Sequence, residues 1–214
     1  MKRPTTLALL ALLLAAGALP AAAGEGSVFM WRVQKGETTV DLLGSIHAMR
    51  PEAYPLPPAI EASFDAAEVV VFEVDLDEMN GAAFKMLAAG SLEGGRTLEQ
   101  ELGPELWARL AAAVEGTGLA PAALQFMKPW MAALSVAGLE LASAGYQPSA
   151  GLDMHLSRRA AEAGKERQAL ETMEEQLGLF TGLSPEESVA FLRSTLAELE
   201  TMIPLLDEAP ASWR

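Results

Sequence analysis

The sequence predicts an α/β (α+β) fold, in which an N-terminal β-hairpin and a parallel strand share a mixed central sheet and a mainly helical region follows. Three observations carry this expectation. Two short β-rich runs flank the turn-forming Gln34-Lys35-Gly36. Four consecutive apolar β-formers, Val69-Val70-Val71-Phe72, read as a strand buried on both faces, which is a parallel-sheet signature. Beyond Thr97, apolar residues recur at helical spacing between Gly and Pro stops.

In chain order, Val28 to Val33 and Glu37 to Leu43 are the hairpin strands, and the second runs straight into Gly44-Ser45-Ile46-His47. A Pro-rich loop, Pro51 to Pro58, leads into a short helix with Ile60, Phe64 and Ala67 on one face. The apolar strand follows within Glu68 to Asp75. Thr97 to Leu102 reads as a turn of helix. Pro104 opens a helix carrying Leu106, Leu110, Ala113 and Val114, stopped at Gly116-Thr117-Gly118. Helices are expected over Trp130 to Ala144 and Gly151 to Ala163, and Gln168 to Glu171 is a short second strand. Ser184-Pro185-Glu186-Glu187 fits a capping box. After it, Val189, Leu192, Leu196, Leu199, Ile203 and Leu206 form a heptad seam that wants a partner surface. Pro204 is expected to kink or end that helix near Met202.

Composition narrows the function classes. The 214 residues suit one domain with at most a small appendage. A net charge of -14 repels phosphate and excludes a general nucleic-acid binder or a polybasic membrane-surface protein. The chain has no Cys, so disulfides, thiolate ligands and a Cys nucleophile are excluded. With two His, a metal site would need carboxylates. Met1-Lys2-Arg3 is a short positive start, Leu7 to Leu19 is a Leu/Ala run, and Ala21-Ala22-Ala23 is a small-x-small cleavage site. Residues 1–23 thus read as a secretory signal peptide, the run being shorter than the ~20 residues a membrane span needs. The remaining 24–214 would form the domain of a periplasmic or secreted protein with no later transmembrane segment.

Two residues stand out chemically. His47 follows a strand through Gly44, which permits a tight turn and close backbone approach to a ligand. Glu73 enters an apolar strand, where a carboxylate is costly unless paired or metal-bound; alternatively the strand has emerged there and Glu73 is solvated. If both residues end neighbouring strands, one His and one carboxylate meet at a sheet edge, as a partial metal site or an acid/base pair. Asp153 near a helix start reads first as an N-cap, His155 as structural or exposed, and Lys128 as a helix-start surface residue. Glu171 ends the second candidate strand much as Glu73 ends the first, and Glu174 and Glu175 form a solvated helix face. Gly44, Lys128, Asp153 and Glu171 are the candidates for substrate contacts.

Several segments in order resemble one family. They are Leu42-Leu43-Gly44-Ser45-Ile46-His47, Tyr54-Pro55-Leu56-Pro57, Val71-Phe72-Glu73-Val74-Asp75, Met127-Lys128-Pro129-Trp130, Gly145-Tyr146, Gly151-Leu152-Asp153 and Leu170-Glu171-Thr172 with Gln176. From about Phe29 to Met202 the chain resembles the TraB/GumN family, which is similar to the Tiki metalloproteases and, more remotely, to erythromycin esterases. The resemblance implies an α/β fold with a split active site. It also implies hydrolysis of a peptide or protein dependent on a divalent metal ion, with His47 and Glu73 as catalytic and metal-binding residues. The family pattern further includes an Arg-Asn pair and a second GxxH, and neither occurs here. The expectation is therefore a C-terminally incomplete domain with little activity, whose C-terminal seam is left partly uncovered and drives self-association. The rival expectation is that this helix folds back on the Trp130 to Ala144 helix. Two alternatives to a hydrolase are a non-catalytic secreted binding module and an accessory factor in exopolysaccharide export.

Overall fold

The structure, a computed structural model, describes residues 28–211; the expected signal segment and its cleavage site lie outside the described residues. Strands β1 (Met30–Lys35) and β2 (Thr38–Leu43) form an antiparallel hairpin with Met30 opposite Leu43 and Lys35 opposite Thr38. Gly36 opens the two-residue turn at φ 61 and no non-Gly residue among the described residues has a positive φ, the sign pattern of a type II′ turn. One hairpin face carries Phe29, Trp31, Val33, Val40 and Leu42, each about half exposed. On the other, Arg32 grips Asp41 with two bonds of 2.7 Å, holding that carboxyl down to about 2, and Ser63 donates to the same carboxylate. The Ser63 bond ties the hairpin to helix α1 (Pro58–Ala66).

Strand β3 (Val69–Val74) pairs in parallel with β4 (Glu166–Glu171), Val69 opposite Glu166 and Val74 opposite Glu171. The parallel pairing is as expected, but burial on both faces is not. Val70 and Phe72 turn inward, while Val71 on the other face is 50% exposed and every residue of β4 is exposed. Among the described residues, hairpin and parallel pair are also separate two-stranded sheets rather than one mixed sheet. The reason is local. β2 leaves its ladder at Gly44, whose N–H donates to the Phe29 carbonyl at 2.8 Å, and the chain beyond turns onto a helix instead of a strand.

Six further helices follow: α2 (Met79–Ala89), α3 (Leu98–Ala113), α4 (Pro129–Ser143), α5 (Leu152–Glu162), α6 (Met173–Thr181) and α7 (Pro185–Ala211). Helix α2 escapes the sequence pattern because Phe84 and Leu87 are exposed, leaving no clean apolar stripe. Helix α3 is two segments joined at Gly103 (φ 74), and a Thr97–Gln100 capping box starts it. Helix α7 continues past Pro204 to Ala211. A proline deletes one backbone hydrogen bond, yet flanking residues can keep helical dihedrals, so the expected stop at Met202 does not occur. No helix among the described residues is long and apolar enough to cross a membrane.

Two cores result. Leu98, Leu106, Leu110, Leu124, Ala132 and Val136 pack with Leu192 and Leu196 in the helical core, and Val189 and Leu199 lie against it. Ser188 accepts the Trp130 N–H at 2.9 Å within the same contact. The α7 seam thus folds back on α4, and through Leu199 its burial needs no second copy. The other core joins Met49, Leu56, Ile60, Phe64, Leu152, Leu156 and Ala160 beneath Val70 and Phe72. Here α5 begins against the exit of β2. The Leu152 N–H donates to the Ile46 carbonyl at 2.8 Å, and a Cβ at Gly151 would lie 2.3 Å from the His47 carbonyl oxygen.

Two outcomes follow from this packing. Leu192→Ala, at a fully buried position, should cost about 2–5 kcal/mol in denaturant unfolding while leaving the His47 region unperturbed. Gly151→Ala should cost about 1–3 kcal/mol, because backbone must move. It should also displace the His47 resonances in NMR spectra, which Leu192→Ala should not.

Candidate functional site

The polar array grows from alternation. In the extended segment after β2, Ile46 packs toward the core, so Ser45 and His47 share the opposite side. In β3 the same alternation sends Phe72 inward and Glu73 outward. The first turn of α5 supplies Asp153. It is not the N-cap expected from sequence, since Gly151 holds that position without a side-chain cap. After β4, a capping box between Thr172 and Glu175 launches α6 and brings Gln176 over the strand ends.

These pieces meet. His47 Nδ1 lies 2.8 Å from Asp153 Oδ2, and the Ser45 hydroxyl donates to the other Asp153 oxygen at 2.7 Å. His47 Nε2 faces Glu73 Oε2 at 3.7 Å. Gln176 Nε2 donates to Glu73 Oε1 at 2.6 Å and reaches Glu171 Oε2 at 3.3 Å. The side chain of Asp153 is 21% exposed, against 74% for His47 and 52% for Glu73. Glu73 is therefore solvated rather than entombed in an apolar strand.

Electrostatics follow the geometry. The hydrogen bond that His47 donates to Asp153 raises the His47 pKa above 6.5; burial opposes it, and the charges of Asp153 and Glu73 add to it. Burial alone would raise Asp153, but the bonds from His47 and Ser45 outweigh it and hold the carboxyl below 3.8. With its Nδ1 hydrogen on Asp153, His47 directs the lone pair or proton of Nε2 toward Glu73. Such an array can orient a metal-binding imidazole or move a proton between imidazole and carboxylate. Among the described residues, no group of three or more His, Asp or Glu side chains converges on one point.

His47, Glu73 and Asp153 are brought together, and Glu171 joins them through Gln176. The route differs from the expected one, because β2 and β3 are not neighbours; α5 carries the β2 exit to the end of β3. Gly44 closes on Phe29 one residue before Ser45. Lys128 stands apart as the N-cap of α4, its N–H donating to the Gly90 carbonyl, with no bond to the array. His155 is also outside it, its ring tilted 39° against that of Tyr54 with centroids 4.4 Å apart. Sequence reasoning missed Ser45 and Gln176 as members. Ser45 carried a signal, since it sits two residues before His47 in an extended segment; Gln176 was marked only by the family resemblance, and its contact with Glu73 depends on the docking of α6.

The chain matches known proteins over most of its length. It is 23% identical over 178 residues to "Uncharacterized protein YbaP" of Escherichia coli (strain K12), an overlap of 83% of this chain and 65% of that protein. With the protein of the same name from Shigella flexneri it is 23% identical over 172 residues, covering 80% of this chain and 62% of the relative. The chain thus spans less than two thirds of the length of these curated relatives. No solved structure matches it. The family pattern that fits it runs over residues 29–214, taking in the hairpin, the His47–Glu73–Asp153 array and the helices α1 to α7 of the described residues, and by that match the chain belongs to the TraB/PrgY/gumN family.

Proposed function

We propose that this protein is an exported hydrolase of peptides or proteins that depends on a divalent metal ion. His47 and Glu73 are its ligands, and Asp153, Ser45 and Gln176 are positioning residues. The observation that carries this reading is the Asp153–His47–Glu73 arrangement, in which a carboxylate on one imidazole nitrogen leaves the other facing a second carboxylate at 3.7 Å. A carboxylate behind a ligating histidine fixes its tautomer and raises its basicity. Two donors bound to one tetrahedral ion at about 2.0–2.2 Å stand roughly 3.3–3.6 Å apart, close to the separation here. When bound, the ion would polarise a carbonyl and lower the pKa of a water. Asp153 holds the His47 ring and its proton. Gln176 holds one Glu73 oxygen and leaves the other toward His47. Export rests on the signal-peptide layout of residues 1–23.

Hydrolytic zinc sites use about three protein ligands. Two good donors therefore give weak binding in this chain. That donor count, with the exposure of His47 and Glu73, is the observation favouring the second reading, a non-catalytic exported binding module.

Calorimetric titration with Zn²⁺ and Mn²⁺, run beside a peptide-cleavage assay, tests the proposal. Weak binding should vanish in His47→Ala and Glu73→Ala and fall about 10- to 100-fold in Asp153→Asn. Binding indifferent to His47→Ala would sink the site, and binding without cleavage would favour the module.

In the metal-free protein, NMR should show His47 titrating above 6.5, with Asp153→Asn moving it down. The sign of the stability effect follows. The contribution of His47 is complete below 6.5 and disappears as pH rises through its elevated folded value. That of Asp153 is present above 3.8 and disappears as pH falls through its depressed value. Urea unfolding across pH should show both slopes in the wild type; in Asp153→Asn the slope around the His47 value should shrink and the acid slope should weaken, the share that comes from Asp41 persisting.

A further inference from the structure

An open cleft lies away from the His47 array and is independent of the hydrolase reading. It measures about 620 Å³, within the range of small-ligand sites. Pro51, Tyr54 and Pro55 form an apolar wall, and His155 and Arg158 of α5 line it opposite. Three residues apart, His155 and Arg158 share one face of α5, while Asp153 lies about 200° of helical rotation from His155. One helix thus carries the array residue on one side and the cleft residues on another.

Local charge gives the cleft its character. Two consecutive arginines and one glutamate border it. Arg159 is engaged: it bonds Glu61 at 2.5 Å, approaches Asp65 at 3.5 Å and lies 4.4 Å over the Phe64 ring. The Glu61 and Arg159 charges therefore cancel. Arg158 makes one long contact, 3.4 Å from its Nη2 to His155 Nδ1. Burial, with the charges of Arg159 and Arg158, keeps His155 below 6.5, so at neutral pH it is an uncharged acceptor for that contact. Four of the five guanidinium donors of Arg158 remain for a ligand. The Tyr54 ring beside them is held by its hydroxyl, which donates to the Ala150 carbonyl at 2.9 Å, and by its tilted contact with the His155 ring.

We propose that this cleft is a second binding site, for a monocarboxylate with an aromatic or branched apolar body. Arg158 takes the carboxylate through its planar fork, and Tyr54, Pro51 and Pro55 cover the body. A planar fork fits a carboxylate in bidentate fashion. Arg158 has no carboxylate bonded to it, but Glu162 lies one turn along α5, and one cation so placed in a chain of net charge -14 favours a monoanion over a phosphate dianion. Such a carboxylate comes from a free acid or from the C-terminus of a peptide.

Calorimetry on the full chain with three probes tests this: N-acetylphenylalanine, its neutral amide, and an acetylated tetrapeptide ending in phenylalanine with a free carboxylate. The free acid should bind, and the amide should bind about 10-fold more weakly or worse. Arg158→Ala should lose a similar factor, Arg158→Lys should retain part of the affinity, and His47→Ala should bind as the wild type does. Arg158 is exposed, so the fold should survive its replacement, and circular dichroism checks that it does. If the tetrapeptide matches the acid, the source is a peptide C-terminus; if the acid alone binds, the source is a free acid, and either result supports the site. Equal binding of acid and amide, no effect of Arg158→Ala, loss of binding in His47→Ala, or no binding of any probe at millimolar concentration overturns it.

Discussion

The close approach of Gly151 to the His47 backbone fixes the geometry of everything around it. A helix start can touch an extended segment this closely only where no side chain intervenes, and a Cβ at Gly151 would meet the His47 carbonyl at 2.3 Å. Around that contact the two segments are joined by further bonds. Met49 and Gln147 exchange backbone hydrogen bonds at 3.2 and 2.9 Å, Leu152 donates to Ile46, and the Tyr54 hydroxyl closes on Ala150. Met49, fully buried, anchors this seam in the core. Both polar regions depend on it: it delivers Asp153 to His47 on one side and sets the Tyr54–His155 contact on the other.

Within the array, the strength of the contacts is uneven in an informative way. The His47–Glu73 approach is exposed and 3.7 Å long, and water screens such a pair to little net energy. The better-buried Asp153 contact is short and doubly bonded. The orientation of His47 therefore comes from behind, through Asp153, rather than from the carboxylate it faces. Glu73 likewise takes its orientation from the neutral amide of Gln176, which leaves its second oxygen unclaimed. Nε2 and Oε2 are thus held near each other by third parties, the condition for two groups that together receive a ligand rather than satisfy one another.

Where a pattern is local, the chain is legible. Gly36 marks the hairpin turn, Ser184 starts its helix by side-chain capping, and the 3-4 seam of α7 is buried through Leu199 as its spacing requires. Where long-range docking decides, it is not. Val69 to Phe72 reads as doubly buried because composition cannot say whether a sheet is covered on one face or two; here Val71 stays open and Glu73 shares its side. His47 and Glu73 stand out as odd residues in apolar surroundings. Asp153 looks like an ordinary helix-start acid, because its role exists only through a contact across 106 residues of chain. Gln176 is marked only by the family resemblance and not by any local pattern, since its place depends on how α6 packs over β4.

The charge pattern reconciles two sites of opposite preference on one acidic protein. The excess of acids surrounds His47 with a negative field that favours protons and divalent cations. An anion site elsewhere seems at odds with this, but exposed charges are screened beyond about 8 Å at physiological ionic strength. What Arg158 experiences is its own neighbourhood, in which Glu61 is neutralised by Arg159, His155 is uncharged and Glu162 is the remaining acid one turn along α5. Elsewhere arginines are locked against acids, Arg32 with Asp41, Arg96 with Glu101 and Arg167 with Asp77, so their charge is cancelled where it stands. Long-range field and local pairing thus act on different scales. The first sets what drifts toward the His47 face, and the second decides what the Arg158 cleft can hold.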